Sequence, residues 1–493
     1  MKKVRTVLTL ILWFSLTSGC ALLPQVTEKP QQTFTQLPVT AAPTIATALP
    51  APESTGENFN PITPEPDIES GPTTYALDVL FENRAMRLEV YEQIIYLNQT
   101  GETLEELPLI IPPNHTDAQF ELQSLVVGGD LVTPEYTLDG VRLLLELPEV
   151  LEPEGRVRIE LQYGLNLPNE PGVLGYTWRQ INVCDWYAFI PAYLEGSGWM
   201  VNDYHPIGEY LVYDVADFDV SIRLKSPNPD LTVVGSVPGR QTEEGWVFHA
   251  DQSRTFVWTA SENYRFLSMT DHPYINAYVF PEDEEAGWAA LAATISAWDV
   301  YSHVYGEPIQ EFLFLIEADF YDGMEYDGLF FLGYDYFERF GGDEKDYLTI
   351  IAAHETAHQW WFAAVGNDAA NEPWLDEALA TYSEWIFYET LFPQNGDWWW
   401  DYRVAWFQPQ GKVDSTIYRF ETPRPYINAV YLRGAELIDE IREKMGDEAF
   451  FAFLQAYYEA GTGKIMTRED FFSIAAEHTD ADIECILWRY FER

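Results

Sequence analysis

The sequence predicts an α+β chain, an antiparallel β N-terminal domain followed by a mainly helical domain, on three observations. Across residues 73–269, short runs alternate apolar with polar side chains between turn clusters, the period of half-buried strands. From about Glu284 onward the apolar period lengthens to three and four residues, as on amphipathic helices. Within that second part, His354-Glu355-Thr356-Ala357-His358 sets two imidazoles four residues apart, which places both on one face of a helix. The expected organisation is a leader over 1–20, a tether over 21–72, a β domain over 73–269 and a helical domain over 270–493.

The leader opens on basic residues Lys2, Lys3 and Arg5 and continues as an apolar run over 7–16, too short to span a bilayer comfortably. It ends on Thr17-Ser18-Gly19-Cys20. This pattern resembles a bacterial lipoprotein signal, which implies a lipid on Cys20 and a membrane-anchored protein outside the cytoplasm. The 21–72 stretch is rich in Pro, Thr, Ala, Gln and Glu without apolar period. It is expected to act as a disordered leash with a reach of roughly 40 Å.

Strand signals follow over 86–91, 157–163 and 218–224, with turns at Gly128-Gly129 and at Pro153-Glu154-Gly155. The run 288–305 then carries Leu291, Ile295, Trp298, Tyr301 and Val304 on helical spacing and stops at Gly306. Residues 311–316 read as a buried strand, and 431–445 as a helix ending at Gly446. The aromatic group Trp398-Trp399-Trp400 and Trp406-Phe407 reads as core or subunit contact. Formal net charge is −51, with 28 Lys plus Arg against 79 Asp plus Glu. Such a charge repels phosphate backbones and argues against nucleic acid as a partner; it reads either as a well-hydrated surface or as a negative field that steers peptides with cationic amino termini toward the site. Cys184 and Cys485 lie far apart in sequence, and either a disulfide or two buried thiols fits them.

The chemistry concentrates around the two histidines. Tyr347, Ile351, His354, His358, Trp361 and Val365 step by four and three, so the imidazoles belong to an otherwise apolar stripe, with a helix stop expected at Gly366-Asn367-Asp368. A pair of histidines enclosing Glu at this spacing is a zinc-site signature, with Glu355 as the accompanying base. Catalytic zinc needs a third protein ligand and one open position. Asn371-Glu372-Pro373 reads as the start of a second helix, with Asn371 as cap, that returns alongside the first. Spacing leaves Glu377, Asp376, Glu372 and Glu384 all within reach.

At these residues the chain resembles the gluzincin aminopeptidases of the aminopeptidase N type. Eighteen residues separate His358 from Glu377, and Trp374-Leu375-Asp376-Glu377-Ala378-Leu379-Ala380-Thr381-Tyr382 matches the family segment that supplies the third ligand. Trp361 and Ala364 do not fit the metzincin extension. Asp322-Gly323-Met324-Glu325-Tyr326 resembles the family's exopeptidase motif, in which Asp322 stands for a Gly and Tyr326 for an Asn. Those two departures bear on the cleavage subsite more than on the chemistry. Tyr431-Leu432-Arg433-Gly434-Ala435 is similar to the segment whose Tyr steadies an oxyanion, and residues 216–220, 253–258 and 467–471 also resemble family text.

The resemblance implies a saddle-shaped β domain and a thermolysin-like catalytic domain. It implies one zinc ion on His354, His358 and Glu377, with Glu355 as general base and Tyr431 as oxyanion donor. Glu325, with Gly323 and Met324, would bind the substrate, Glu325 holding its free amine. The expected activity is zinc-dependent removal of N-terminal residues from peptides outside the cytoplasm. The competing expectations are a related endopeptidase or other hydrolase, and a non-catalytic lipoprotein of the same fold that binds peptides or partners. Because no stretch remains for the helical-repeat domain that caps many relatives, a more open site is expected.

Overall fold

The computed structural model describes Thr63 and residues 71–492, apart from 116–118, 132–136 and 273. The leader with Cys20, and all of the tether except Thr63, Gly71 and Pro72, lie outside the described residues. No helix among the described residues is long and apolar enough to cross a membrane.

The alternating stretches pair into sheets. Arg87–Leu97, Arg156–Asn166 and Ala216–Leu224 cover the three expected strands and belong to one eight-stranded sheet. Its central strand, Thr74–Glu82, runs antiparallel to Arg87–Leu97 and parallel to Ala216–Leu224, a departure from the antiparallel pairing expected of this part. Leu77, Val79 and Phe81 of that strand are buried with Trp186, Phe256 and Trp258 in one apolar core. Each such side chain contributes about 1.5–3 kcal/mol by leaving water. Glu92 is buried in the same core, with one oxygen accepting from Tyr163 Oη (2.9 Å) and from the Ala188 amide (3.2 Å).

A five-stranded sheet opens the second part, in the order Arg265–Ser268, Ile275–Val279, Leu313–Ala318, Leu329–Gly333 and Gly323–Tyr326. Its first strand begins at Arg265, so the architecture changes before Arg265, and the break expected at 269/270 falls between two paired strands. Helix α1 (Glu284–Tyr305) covers the sheet, and α2 (Tyr334–Glu338) follows the last parallel strand. Helices α3 (Tyr347–Ala357) and α4 (Trp374–Leu391) pack together with α1 in the core. The expected helix near the C-terminal end runs Arg433–Met445, and Thr467 with Asp470 forms a capping box on Arg468–His478.

Three expectations need correction. The stripe through Trp361 and Val365 does not stay helical: α3 ends at Ala357, and Val365–Gly366 pairs as a short strand with Lys464–Ile465. Asn371 does not cap α4, which starts after Pro373 with no side-chain cap; the Asn371 amide group bonds Asp368 (2.8 Å) and Asn202 (3.0 Å) instead. Cys184 and Cys485 are both free thiols, one buried and the other exposed.

Beyond the end of α3 the chain is held out of helix by a tertiary contact. Arg254, buried in the first half, donates to five carbonyls: Phe362 (2.8 Å), Ala363 (3.1 Å), Ala364 (3.1 Å), Tyr213 (3.0 Å) and Lys464 (2.8 Å). Three consecutive carbonyls turned toward one guanidinium cannot also continue a helical ladder. Gly366 permits the approach, since a Cβ there would stand 2.6 Å from Arg254 Cζ.

Candidate active site

Helix α3 begins at Asp346, whose side chain accepts from the Leu348 amide (3.0 Å), and brings His354 and Glu355 into a cleft. His358 is its C-cap residue, and both imidazoles are buried. From α4, Glu377 reaches the same point. Its Oε2 lies 3.3 Å from His354 Nε2 and 3.6 Å from His358 Nε2, and the two Nε2 atoms are 3.2 Å apart. The alternatives stand elsewhere: Glu372 accepts from the Arg468 amide, Asp376 from the Glu377 amide, and Glu384 sits behind His354.

The backs of both rings are fixed. His358 Nδ1 donates to the Trp361 carbonyl (2.9 Å), which is free to accept because the helix has already ended. His354 Nδ1 donates to Glu384 Oε1 (2.9 Å), a residue two turns past Glu377 on the same face of α4. Glu384 is held in turn by Arg403 through two 2.8 Å bonds and by Trp399 Nε1 (3.2 Å). With both Nδ1 atoms committed as donors, it is the two Nε2 atoms that face the point shared with Glu377 and become the ligating atoms once a metal displaces any proton on them. Burial alone would raise the Glu384 carboxyl, but Arg403 and His354 hold it below its ordinary value. Burial opposes charge on His354, yet Glu377 and Glu384 lift its pKa to about 9; against the same burial, His354 and His358 hold Glu377 down at about 2.

The donors fit a divalent ion. Two imidazole nitrogens and a carboxylate oxygen within 4.8 Å of one another form a three-ligand set, and their remaining side faces the cleft. Two further buried acids flank them with one oxygen each lacking a hydrogen-bond partner, Glu355 Oε2 and Glu325 Oε1. Burial pushes both carboxyls up, and neighbouring acids add to the shift. Clustered acids with orphaned oxygens favour a cation at this end of the cleft. Tyr431 Oη donates to Glu377 Oε1, and its ring stacks on His354 at 5.8 Å and 9°.

The Glu325 segment is the edge strand Gly323–Tyr326. Gly323 passes so close to Glu355 that a Cβ would stand 2.0 Å from its Oε1. Met324 lines the cleft. Asp322 adopts φ 74°, a left-handed conformation that Gly adopts freely and Asp tolerates at about 1 kcal/mol. Its carboxylate accepts from Tyr336 Oη (2.6 Å), which offsets that cost, so the Asp322 departure preserves the turn. Tyr326 is buried and donates to Asp185 (3.2 Å).

Sequence reasoning missed Glu209, Arg403 and the role of Glu384. Glu209 joins the cleft wall from the first half, next to Gly208 at φ 72°, and burial with Glu325 raises its carboxyl. The seven-residue step from Glu377 to Glu384 was the one available signal. Trp399 proves to be core and second support for Glu384, whereas Trp406 is 77% exposed.

Residues 299–490 match the peptidase family M1 domain. Aminopeptidase O of Homo sapiens is 24% identical over 155 residues, 25% of this chain and 19% of that protein. Aminopeptidase N of Lactococcus lactis subsp. lactis is 25% identical over 166 residues, 30% of this chain and 19% of that protein. The chain thus spans about one fifth of the length of these curated relatives. Among solved structures, an M1 zinc metallopeptidase from Deinococcus radiodurans superposes with a TM-score of 0.59 at 17% identity, covering 85% of this chain and 93% of that one. A mutant two-domain M1 zinc metallopeptidase bound to L-arginine gives 0.61 at 16% identity, with coverage of 85% and 93%. The chain therefore has the two-domain fold seen in the M1 zinc metallopeptidases, and its residues 299–490 match the model of the peptidase family M1 domain.

Proposed function

We propose that this protein is a zinc-dependent aminopeptidase that works outside the cytoplasm, tethered to the membrane by a lipid on Cys20. The observation that carries the reading is the buried set His354, His358 and Glu377, with both Nε2 atoms turned to one point beside the orphaned oxygens of Glu355 and Glu325. His354, His358 and Glu377 would hold the zinc ion, which would supply Lewis acidity for the scissile carbonyl and for a water. Glu355 takes the proton of the attacking water and delivers it to the leaving amine. Tyr431 swings its hydroxyl from Glu377 to the developing oxyanion. Glu325, joined by Glu209, holds the substrate's ammonium and so counts from the amino end. A Deinococcus radiodurans neighbour is solved with a Tyr-Ser-Ala substrate, which supports peptides as the substrate class.

The test pairs a fluorogenic aminoacyl amide with its amino-blocked form. Turnover of the free form alone, abolished in Glu355→Gln, is the expected result. Equal rates on both would remove the exopeptidase reading, and no turnover of either would leave a binding protein. The anchor is read separately: labelled fatty acid should enter the wild-type chain and not Cys20→Ser.

A further inference from the structure

A second cavity of about 320 Å3 opens beside the cleft and shares Glu209, Met324 and Glu325 with it. Its walls come from both halves of the chain, with Tyr210 and Tyr213 on one side and Tyr326 and Phe362 on the other. Asp185 also lines it, at φ 50°, a backbone conformation that residues with a side chain seldom adopt. The carboxylate accepts from Tyr213 Oη on one oxygen (2.7 Å) and from Tyr326 Oη on the other (3.2 Å). Both donors are neutral. Among the described residues, no lysine or arginine lines the cavity, and its histidines are turned to backbone: His115 to the Pro112 carbonyl, His205 to Ile207.

The cavity therefore offers an apolar passage that begins at the acid assigned to the substrate's ammonium and holds a carboxylate bonded only to hydroxyls. A lysine or arginine side chain has the complementary form, an apolar stem with a cationic head. We propose that this cavity receives the side chain of the substrate's N-terminal residue and that Asp185 makes it selective for lysine and arginine. Tyr326, where the family has Asn, is then a positioning residue that aims the Asp185 carboxylate. The inference rests on the aminopeptidase reading and adds a substrate class to it.

The experiment compares kcat/KM for lysyl and norleucyl amides, which share a four-carbon side chain and differ by the terminal ammonium, on the zinc-loaded full chain. The wild type is expected to favour the lysyl amide by about 10- to 100-fold, the range of a buried hydrogen bond between charged groups. Asp185→Asn should bring that ratio close to one, and Tyr326→Phe should lower it by a smaller factor. As a readout independent of the variants' folding, free L-lysine should inhibit the wild type more strongly than L-norleucine. A wild type that cleaves the norleucyl amide equally well, or an Asp185→Asn variant that keeps the ratio, overturns the selectivity while leaving the aminopeptidase standing. Failure to cleave either amide overturns both.

Discussion

Replacing Glu384 by Gln removes one charge and changes no volume, yet the geometry around it leaves the amide no acceptable orientation. Four N–H groups converge on the two carboxylate oxygens: His354 Nδ1, Trp399 Nε1, and Nε and Nη2 of Arg403. Gln offers one oxygen. If that oxygen faces His354, the amide N–H2 group points at Arg403 and Trp399, donor against donor. If it faces Arg403, the amide donates to His354 Nδ1, which drives the ring proton to Nε2 and blocks the lone pair that faces Glu377. Either outcome predicts weaker zinc binding by about 10- to 100-fold, or about 1.4–2.8 kcal/mol. Zinc competition against a chromogenic chelator reads this directly. Glu384→Gln combined with Arg403→Met relieves the conflict with the guanidinium and should recover part of the affinity. If Glu384→Gln bound zinc as tightly as the wild type, the ring orientation of His354 would not depend on this network, and the reasoning would be wrong.

Other perturbations probe other parts. Tyr431→Phe should lower kcat by about 10²–10³ with zinc content unchanged, the usual effect of losing one oxyanion donor; an unchanged kcat would remove Tyr431 from the chemistry. Arg254→Met leaves five carbonyls without their donor and should destabilise the chain by at least about 3 kcal/mol in urea unfolding, with a loss near 0.5 kcal/mol counting against the role assigned to it. Burial lifts the Glu92 carboxyl to about 8 from about 4.5. The folded chain keeps that proton where the unfolded chain releases it, so Glu92 lowers stability as pH rises from about 4.5 to about 8, by an upper bound of about 5 kcal/mol. Glu92→Gln should flatten that slope in urea midpoints taken at pH 5 and pH 8, and an identical slope in the variant would show that the carboxyl is not the source.

The parts of the fold legible in sequence were those set by local period. Alternation located Arg87–Leu97, Arg156–Asn166 and Ala216–Leu224, and apolar spacing located Glu284–Tyr305 with its stop at Gly306. The end of the His354 helix was not legible, because Trp361 and Val365 prolong the stripe, while the carbonyls of Phe362, Ala363 and Ala364 are taken up by Arg254, more than a hundred residues away. The candidate site divides the same way. His354, Glu355 and His358 are a local pattern, and the family resemblance selected Glu377 among four carboxylates that spacing left open. Arg403, Glu209 and Asp185 carry no such signature, since each reaches the cleft or its side cavity through tertiary packing. Asp322 lies between these cases. Its left-handed backbone explains why a residue tolerant of positive φ replaces Gly, but only the structure gives the angle and the Tyr336 contact.

Metal analysis of the purified chain beside Glu377→Ala asks whether His354, His358 and Glu377 hold one zinc ion. One zinc per wild-type chain is expected, with a large loss in the variant, which should remain folded by circular dichroism. A wild-type chain without zinc, or a variant that retains it in full, would show that these three side chains are not the metal site.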